Sequence, residues 1–139
     1  MEDFVTFEIA KKLKEKGFRE ECFAYYTSEY TLYNNLVVLC DDKYLEVAEI
    51  DYTESLTSNN SVRENKYNNI CDAPTISQVL KWLREEKKIH ICVDFDGDMN
   101  WYYQIAIYGS TDIAADGYGY NDYELSALAG IEYVLDNLI

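Results

Sequence analysis

Between Asp94 and Asn100 side-chain oxygens recur at every second position: Asp94, Asp96, Asp98 and Asn100. Calcium loops space their ligands in this way. The match fails where that pattern is strictest, because Met99 stands where glycine is required and Ile105 where a bidentate acid must close the loop. A hairpin turn with solvated acids, at most a weak cation site, is the better account. His90 and Cys92 precede this run on one line with Asp94, and a nucleophile and its base need contact at about 3 Å. Residues two apart on a strand face are about 7 Å apart, so the spacing by itself makes no dyad. With a single histidine in the chain, Ser–His or Cys–His catalysis would have to use His90. No zinc-ligand spacing links the four cysteines, and no cofactor is expected.

The elements that must position these residues are the clearest in the chain. Apolar residues at Ile76, Val79, Leu80 and Leu83 follow i, i+3, i+4, i+7 and predict a helix, with Trp82 at the edge of its stripe. Asp72 is the expected cap, Pro74 fits the first turn, and Lys87 and Lys88 suit the negative end of the helix dipole. A period of two follows. Ile89, Ile91, Val93 and Phe95 face one way, and His90, Cys92 and Asp94 the other. After the turn chemistry of Asp96-Gly97-Asp98, Trp101, Tyr103, Ile105 and Ile107 oppose Tyr102, Gln104, Ala106 and Tyr108.

The remainder reads more coarsely. Residues 3–17 predict a first helix with Asp3 as cap, a stripe of Val5, Ile9 and Leu13, and Gly17 as stop. The aromatic and Val-rich stretch 22–40 predicts a hairpin, with Leu36 to Leu39 a buried strand. Residues 41–70 read as an insertion: DDKYLEVAEIDY satisfies neither period cleanly and could be a short strand or a helix turn, and the Asn/Ser-rich run after it is expected to be an exposed loop. Residues 109–121, with three glycines, predict a second loop. A final helix runs from about Asp122 to Leu138, with Leu125, Leu128, Ile131, Val134, Leu135 and Leu138 as its apolar face. Helix, hairpin, insertion, helix, hairpin, helix predicts an α+β domain: two layers, an antiparallel sheet of four or more strands and three helices.

Length and charge narrow the class. The 139 residues suffice for one domain, expected to span 1–139, and none of the apolar runs approaches the roughly 18 residues of a membrane span. No basic-then-apolar leader opens the sequence, and four scattered cysteines suit reduced thiols, so a cytoplasmic setting is expected. Net charge is −14, with nine Asp or Glu and no Lys or Arg from Ile89 to Ile139. Such a field repels nucleic acid, so direct DNA or RNA binding is not expected. The run KKLKEK of the first helix reads as a solvated face rather than a phosphate-binding patch. The glycines before the last helix could cradle an anion, but Asp112, Asp116 and Asp122 oppose one.

Fourteen tyrosines are the strongest functional hint. Tyr118, Tyr120 and Tyr123 are expected at a loop–helix junction, and tyrosine beside carboxylates makes protein-contact surface at low entropic cost. Three segments, IAKKLKEKGF, CDAPTISQVLKWLREEKKIHI and YELSALAGIEYVLDNLI, resemble small uncharacterised proteins encoded by phages and mobile elements of gut bacteria. The resemblance covers about half the chain and omits residues 41–70. It implies a viral or mobile-element setting inside a bacterial cell and carries no activity or catalytic residues with it.

Two functions from different classes are therefore expected. The leading one is a non-enzymatic acidic module that binds a protein partner, either a basic nucleic-acid-handling protein or a second copy of itself, through Asp94, Asp96, Asp98, Tyr102, Tyr118 and Tyr120. The alternative is a small enzyme or ligand- or metal-binding domain that uses the Asp94–Asp98 acids and His90.

Overall fold

A computed structural model describes residues 3–22, 24–27, 36–40, 45–47 and 69–139. The fold is α+β, and the chain divides into two compact units. One comprises Phe4–Thr75; the other comprises Ile76–Ile139 together with the first three residues. Among the described residues no helix is long and apolar enough to cross a membrane.

The amino-terminal unit opens with helix α1, Phe7–Glu15. Its cap is Thr6, not the expected Asp3. Thr6 is extended, at φ −69° and ψ 162°, and its hydroxyl accepts from the Ile9 N–H at 3.3 Å. A hydroxyl three residues ahead of an unpaired N–H satisfies it at the least chain length, which Asp3 is too far away to do. Ile9, Ala10 and Leu13 are buried, and Gly17 ends the helix at φ 92°. Val5, expected on the helical stripe, is buried in the extended segment before the cap, where its N–H donates to the Pro74 carbonyl.

Among the described residues this unit also has four short strands: β1 (Ala24–Thr27), β2 (Leu36–Cys40), β3 (Leu45–Val47) and β4 (Asn69–Asp72). They form one mixed sheet in the order β3-β2-β1-β4. β1 and β2 run parallel, so the hairpin expected over 22–40 does not form. The reason is long-range. β1 pairs antiparallel with β4, more than forty residues away in sequence, and local turn signals carry no information about that partner. Of the expected insertion, residues 45–47 and 69–70 are strand, and its other residues lie outside the described ones. Asp72, expected to cap the next helix, ends β4 and is buried. Tyr26, fully buried, donates its hydroxyl to the Val5 carbonyl and packs its ring at 5.3 Å from Phe7.

The carboxy-terminal unit contains α2 (Ile76–Glu86), β5 (Ile89–Phe95), β6 (Trp101–Ile107), β7 (Ile113–Tyr120) and α3 (Tyr123–Asn137). The strands form an antiparallel sheet in the order β5-β6-β7. The strands are thus shared between two sheets, and the antiparallel one has three. The third strand falls in residues 109–121, expected as loop. Glycine and aspartate weaken strand propensity, and β7 contains Gly117, Gly119 and Asp116. Its pairing to β6 supplies what propensity lacks.

Gly117 is required by packing. A Cβ there would lie 2.4 Å from Cε1 of Tyr103, so only glycine lets that ring lie against β7. Gly130 in α3 is held closely too, since its Cβ would lie 3.0 Å from Ile91 and 3.2 Å from Tyr103, so those side chains would have to give by a few tenths of an ångström. Asp122 caps α3, accepting from the Leu125 N–H at 2.7 Å. α3 packs on all three strands, and Ile131, Val134 and Leu135 are buried with Ile89, Ile91, Tyr103 and Ile105. Leu125, expected on the apolar face, is exposed, because it lies in the first turn beyond the sheet's cover. In α2 the buried stripe is Ile76, Val79, Trp82 and Leu83, with Leu80 half-buried. The helix is rotated toward Trp82, whose larger apolar surface gains more from burial.

Candidate protein-binding face

The register assigns each residue of the sheet to a face. Asp94 stands opposite Tyr102, Cys92 opposite Gln104, and His90 opposite Ala106. On the other side of β6, Gln104 stands opposite Asp116. Cys92, Gln104 and Asp116 thus make one row across all three strands, on the face away from Ile91, Ile105 and Tyr103. His90, Cys92, Asp94, Ala106, Asp116 and Tyr118 are exposed there, and Tyr102 and Gln104 are half-buried.

Two tyrosines dominate this outer face. The rings of Tyr102 and Tyr118 stack with centroids 5.3 Å apart and planes 24° apart. The Tyr118 hydroxyl donates to Oδ2 of Asp116 at 3.3 Å. Desolvation by its neighbours raises the Tyr102 hydroxyl above its ordinary pKa, and the charges of Asp94, Cys92, Tyr118 and Asp96 raise it further. Tyr102 therefore stays a neutral donor beside two carboxylates. The face offers flat aromatic surface, hydroxyl donors and carboxylate acceptors, with no cation from Ile89 to the last residue.

Asp96 and Asp98 lie beyond the strands, in the turn from β5 to β6. Asp96 Oδ1 accepts from the backbone N–H of Asp98 at 2.7 Å and from that of Asn100 at 3.4 Å, while Asp94 Oδ1 accepts from the Phe95 N–H at 2.7 Å. These carboxylates hold the turn itself, which also seats Gly97 and Met99 at positive φ. Among the described residues no group of three or more His, Cys, Asp or Glu is placed to hold a metal ion. His90 is near the start of β5 and Asp96 lies just past its end, about 17 Å or more away at strand rise, so one small site does not hold both. Opposite His90 and Cys92 stand Ala106 and Gln104, neither a base nor a nucleophile.

Tyr120 belongs elsewhere. The pairing of β6 with β7 shifts between Trp101 and Tyr103, which turns Tyr120 toward Tyr103, its ring centroid at 5.9 Å. Desolvation first, then Tyr120, keeps the Tyr103 hydroxyl pKa raised. Tyr120 therefore supports the buried face, and the six residues expected to bind a partner split into an outer pair with Asp94, a turn pair, and one inner tyrosine. Asp116 is the outer-face residue that the sequence assigned only to a loop. Its period-two relation to Tyr118 was the available signal, hidden by the intervening Gly117. At the turn end a second aromatic group forms, with Trp101 at 5.4 Å from Phe95 and 5.9 Å from Tyr123.

The thiols divide by burial. Cys22 and Cys71 are buried and Cys92 is exposed, and none of the three is in a disulfide. Burial, then the charge of Asp72, drives the Cys22 pKa far up, which leaves it an unreactive thiol. No protein-family model, curated protein or solved structure matches this chain.

Proposed function

We propose that this protein is a non-enzymatic interaction module that binds a basic protein partner through the outer face of the β5-β6-β7 sheet. One observation carries the reading: the stacked Tyr102–Tyr118 pair lies on the sheet face opposite the helix-packed core, beside Asp94 and Asp116, in a segment without a single Lys or Arg. Stacked tyrosines supply rigid contact area that loses little entropy on binding, and carboxylates around them select a cationic surface. Asp96 and Asp98 extend the negative field at one end of the hairpin. The partner that fits is a protein with a positive groove, as nucleic-acid-handling proteins have, and the resemblance of three segments to phage and mobile-element proteins favours a bacterial cytoplasm as the setting.

The test is affinity capture from bacterial lysate followed by association kinetics with the captured partner. Screening shortens from about 10 Å at 0.1 M salt to about 3 Å at 1 M, so association should slow steeply over that range. Tyr102→Ala with Tyr118→Ala should abolish capture. Asp94, Asp96 and Asp98 changed together to Asn should slow association while the turn persists, since Asn presents the same accepting oxygen. An unchanged rate at low salt in the triple variant would remove the acidic residues from the interface.

A further inference from the structure

At the end of the hairpin away from the acidic turn, the carboxy-terminal unit has a cavity of about 420 Å³. It lies where α2 gives way to β5 and where β6 ends. Arg84, Lys88, His90, Ile107, Tyr108 and Ser110 define its chemistry. Its lining contains no carboxylate, although residues 76–139 contain eleven Asp or Glu against four Lys or Arg. Two of those four cations, and the chain's single histidine, border this one cavity. Charge in this unit is therefore segregated.

The geometry of each group suits an anion. Arg84 and Lys88 are four residues apart, and among the described residues neither is ion-paired with a carboxylate. Lys88 sits at φ 59°, a left-handed position that glycine fills without strain. Its Nζ donates to the Glu85 carbonyl at 2.7 Å, which uses one of three N–H groups and covers a carbonyl of the helix end. Ser110 Oγ accepts from the Asp112 N–H at 3.2 Å, so its own hydrogen remains to be donated. Beside these donors lie Ile89, Ala106 and Ile107, and Tyr108 stands 86% exposed at the rim.

We propose that this cavity binds a small organic anion: a phosphate or carboxylate head held by Arg84, Lys88 and Ser110, with an apolar or aromatic body against Ile107 and Tyr108. This site shares His90 and Ala106 with the outer sheet face but takes its anion donors from Arg84, Lys88 and Ser110, so it does not depend on the acidic residues there. Guanidinium and ammonium groups recognise such heads through charge-assisted hydrogen bonds, and the apolar wall rejects a bare hydrated ion.

Phenyl phosphate is the probe, titrated into the full chain and followed by amide chemical shifts. Saturable shifts confined to residues 84–90 and 106–110 are expected, with a Kd on the order of 1 mM or tighter. Inorganic phosphate should bind more weakly, and benzylamine should produce no shift at these residues. Arg84→Gln with Lys88→Gln should weaken phenyl phosphate binding at least about tenfold. Lys88→Gly removes one cation and the left-handed strain together, so it should remain folded and still bind more weakly. Shifts scattered over the unit, equal binding of benzylamine, or undiminished affinity in both variants would overturn the proposal.

Discussion

The two faces of the β5-β6-β7 sheet share the same strands and differ in almost everything else. On the inner face, Ile89, Ile91, Tyr103 and Ile105 are buried under α3, and a Cβ at Gly117 would displace Tyr103. On the outer face, neighbours one residue away are exposed or half-buried, and their contacts are a tyrosine stack and one hydroxyl–carboxylate bond. A strand turns successive side chains to opposite sides, so a single register fixes both faces at once. The inner face specifies the fold, and the outer face is free to be selected for binding.

The sharpest way to break this contrast is to truncate adjacent residues. Ile105→Ala should lower stability by about 2–5 kcal/mol, because it leaves a cavity beneath α3. Gln104→Ala, one residue away, should stay within about 0.5 kcal/mol. Denaturant midpoints of the two variants measure the difference, and equal losses would mean that the outer face is also core. Next in size is Gly117→Ala. Its Cβ would meet the Tyr103 ring at 2.4 Å, and forcing that ring aside should cost about 1–3 kcal/mol. Adding Tyr103→Leu should return part of that loss.

A smaller effect should appear in a double-mutant cycle on Tyr102 and Tyr118, with a coupling of about 0.2–1 kcal/mol. Both single variants should remain folded while losing partner capture. The smallest effect is a titration. Tyr102 holds its proton more tightly when folded, so its contribution to stability is complete below the ordinary tyrosine pKa. That contribution is lost as pH rises through the raised folded value. Asp94→Asn removes one neighbouring charge and should move the Tyr102 transition back toward the ordinary tyrosine value, which ultraviolet difference titration detects. No movement would place Asp94 out of electrostatic reach of the stack.

Local sequence determined the elements whose signals are dense. The spacing of Ile76, Val79 and Leu83 is enough to make α2, and the alternation from Ile89 to Ile107 is enough to make the hairpin and assign Asp94 and Tyr102 to one face. Those outcomes follow from the periods of 3.6 and 2, which any stretch carries within itself. Tertiary structure decided what no window contains. Residues 113–120 become a strand because β6 offers an edge and Tyr103 needs the space at Gly117, so Asp116 and Tyr118 reach the outer face. A register shift turns Tyr120 inward. Arg84 and Ser110 meet at one cavity because the helix end and the hairpin end converge, although 26 positions separate them in the chain. Pairing between distant segments is chosen by the free energy of the whole unit, and only the folded chain brings those segments together.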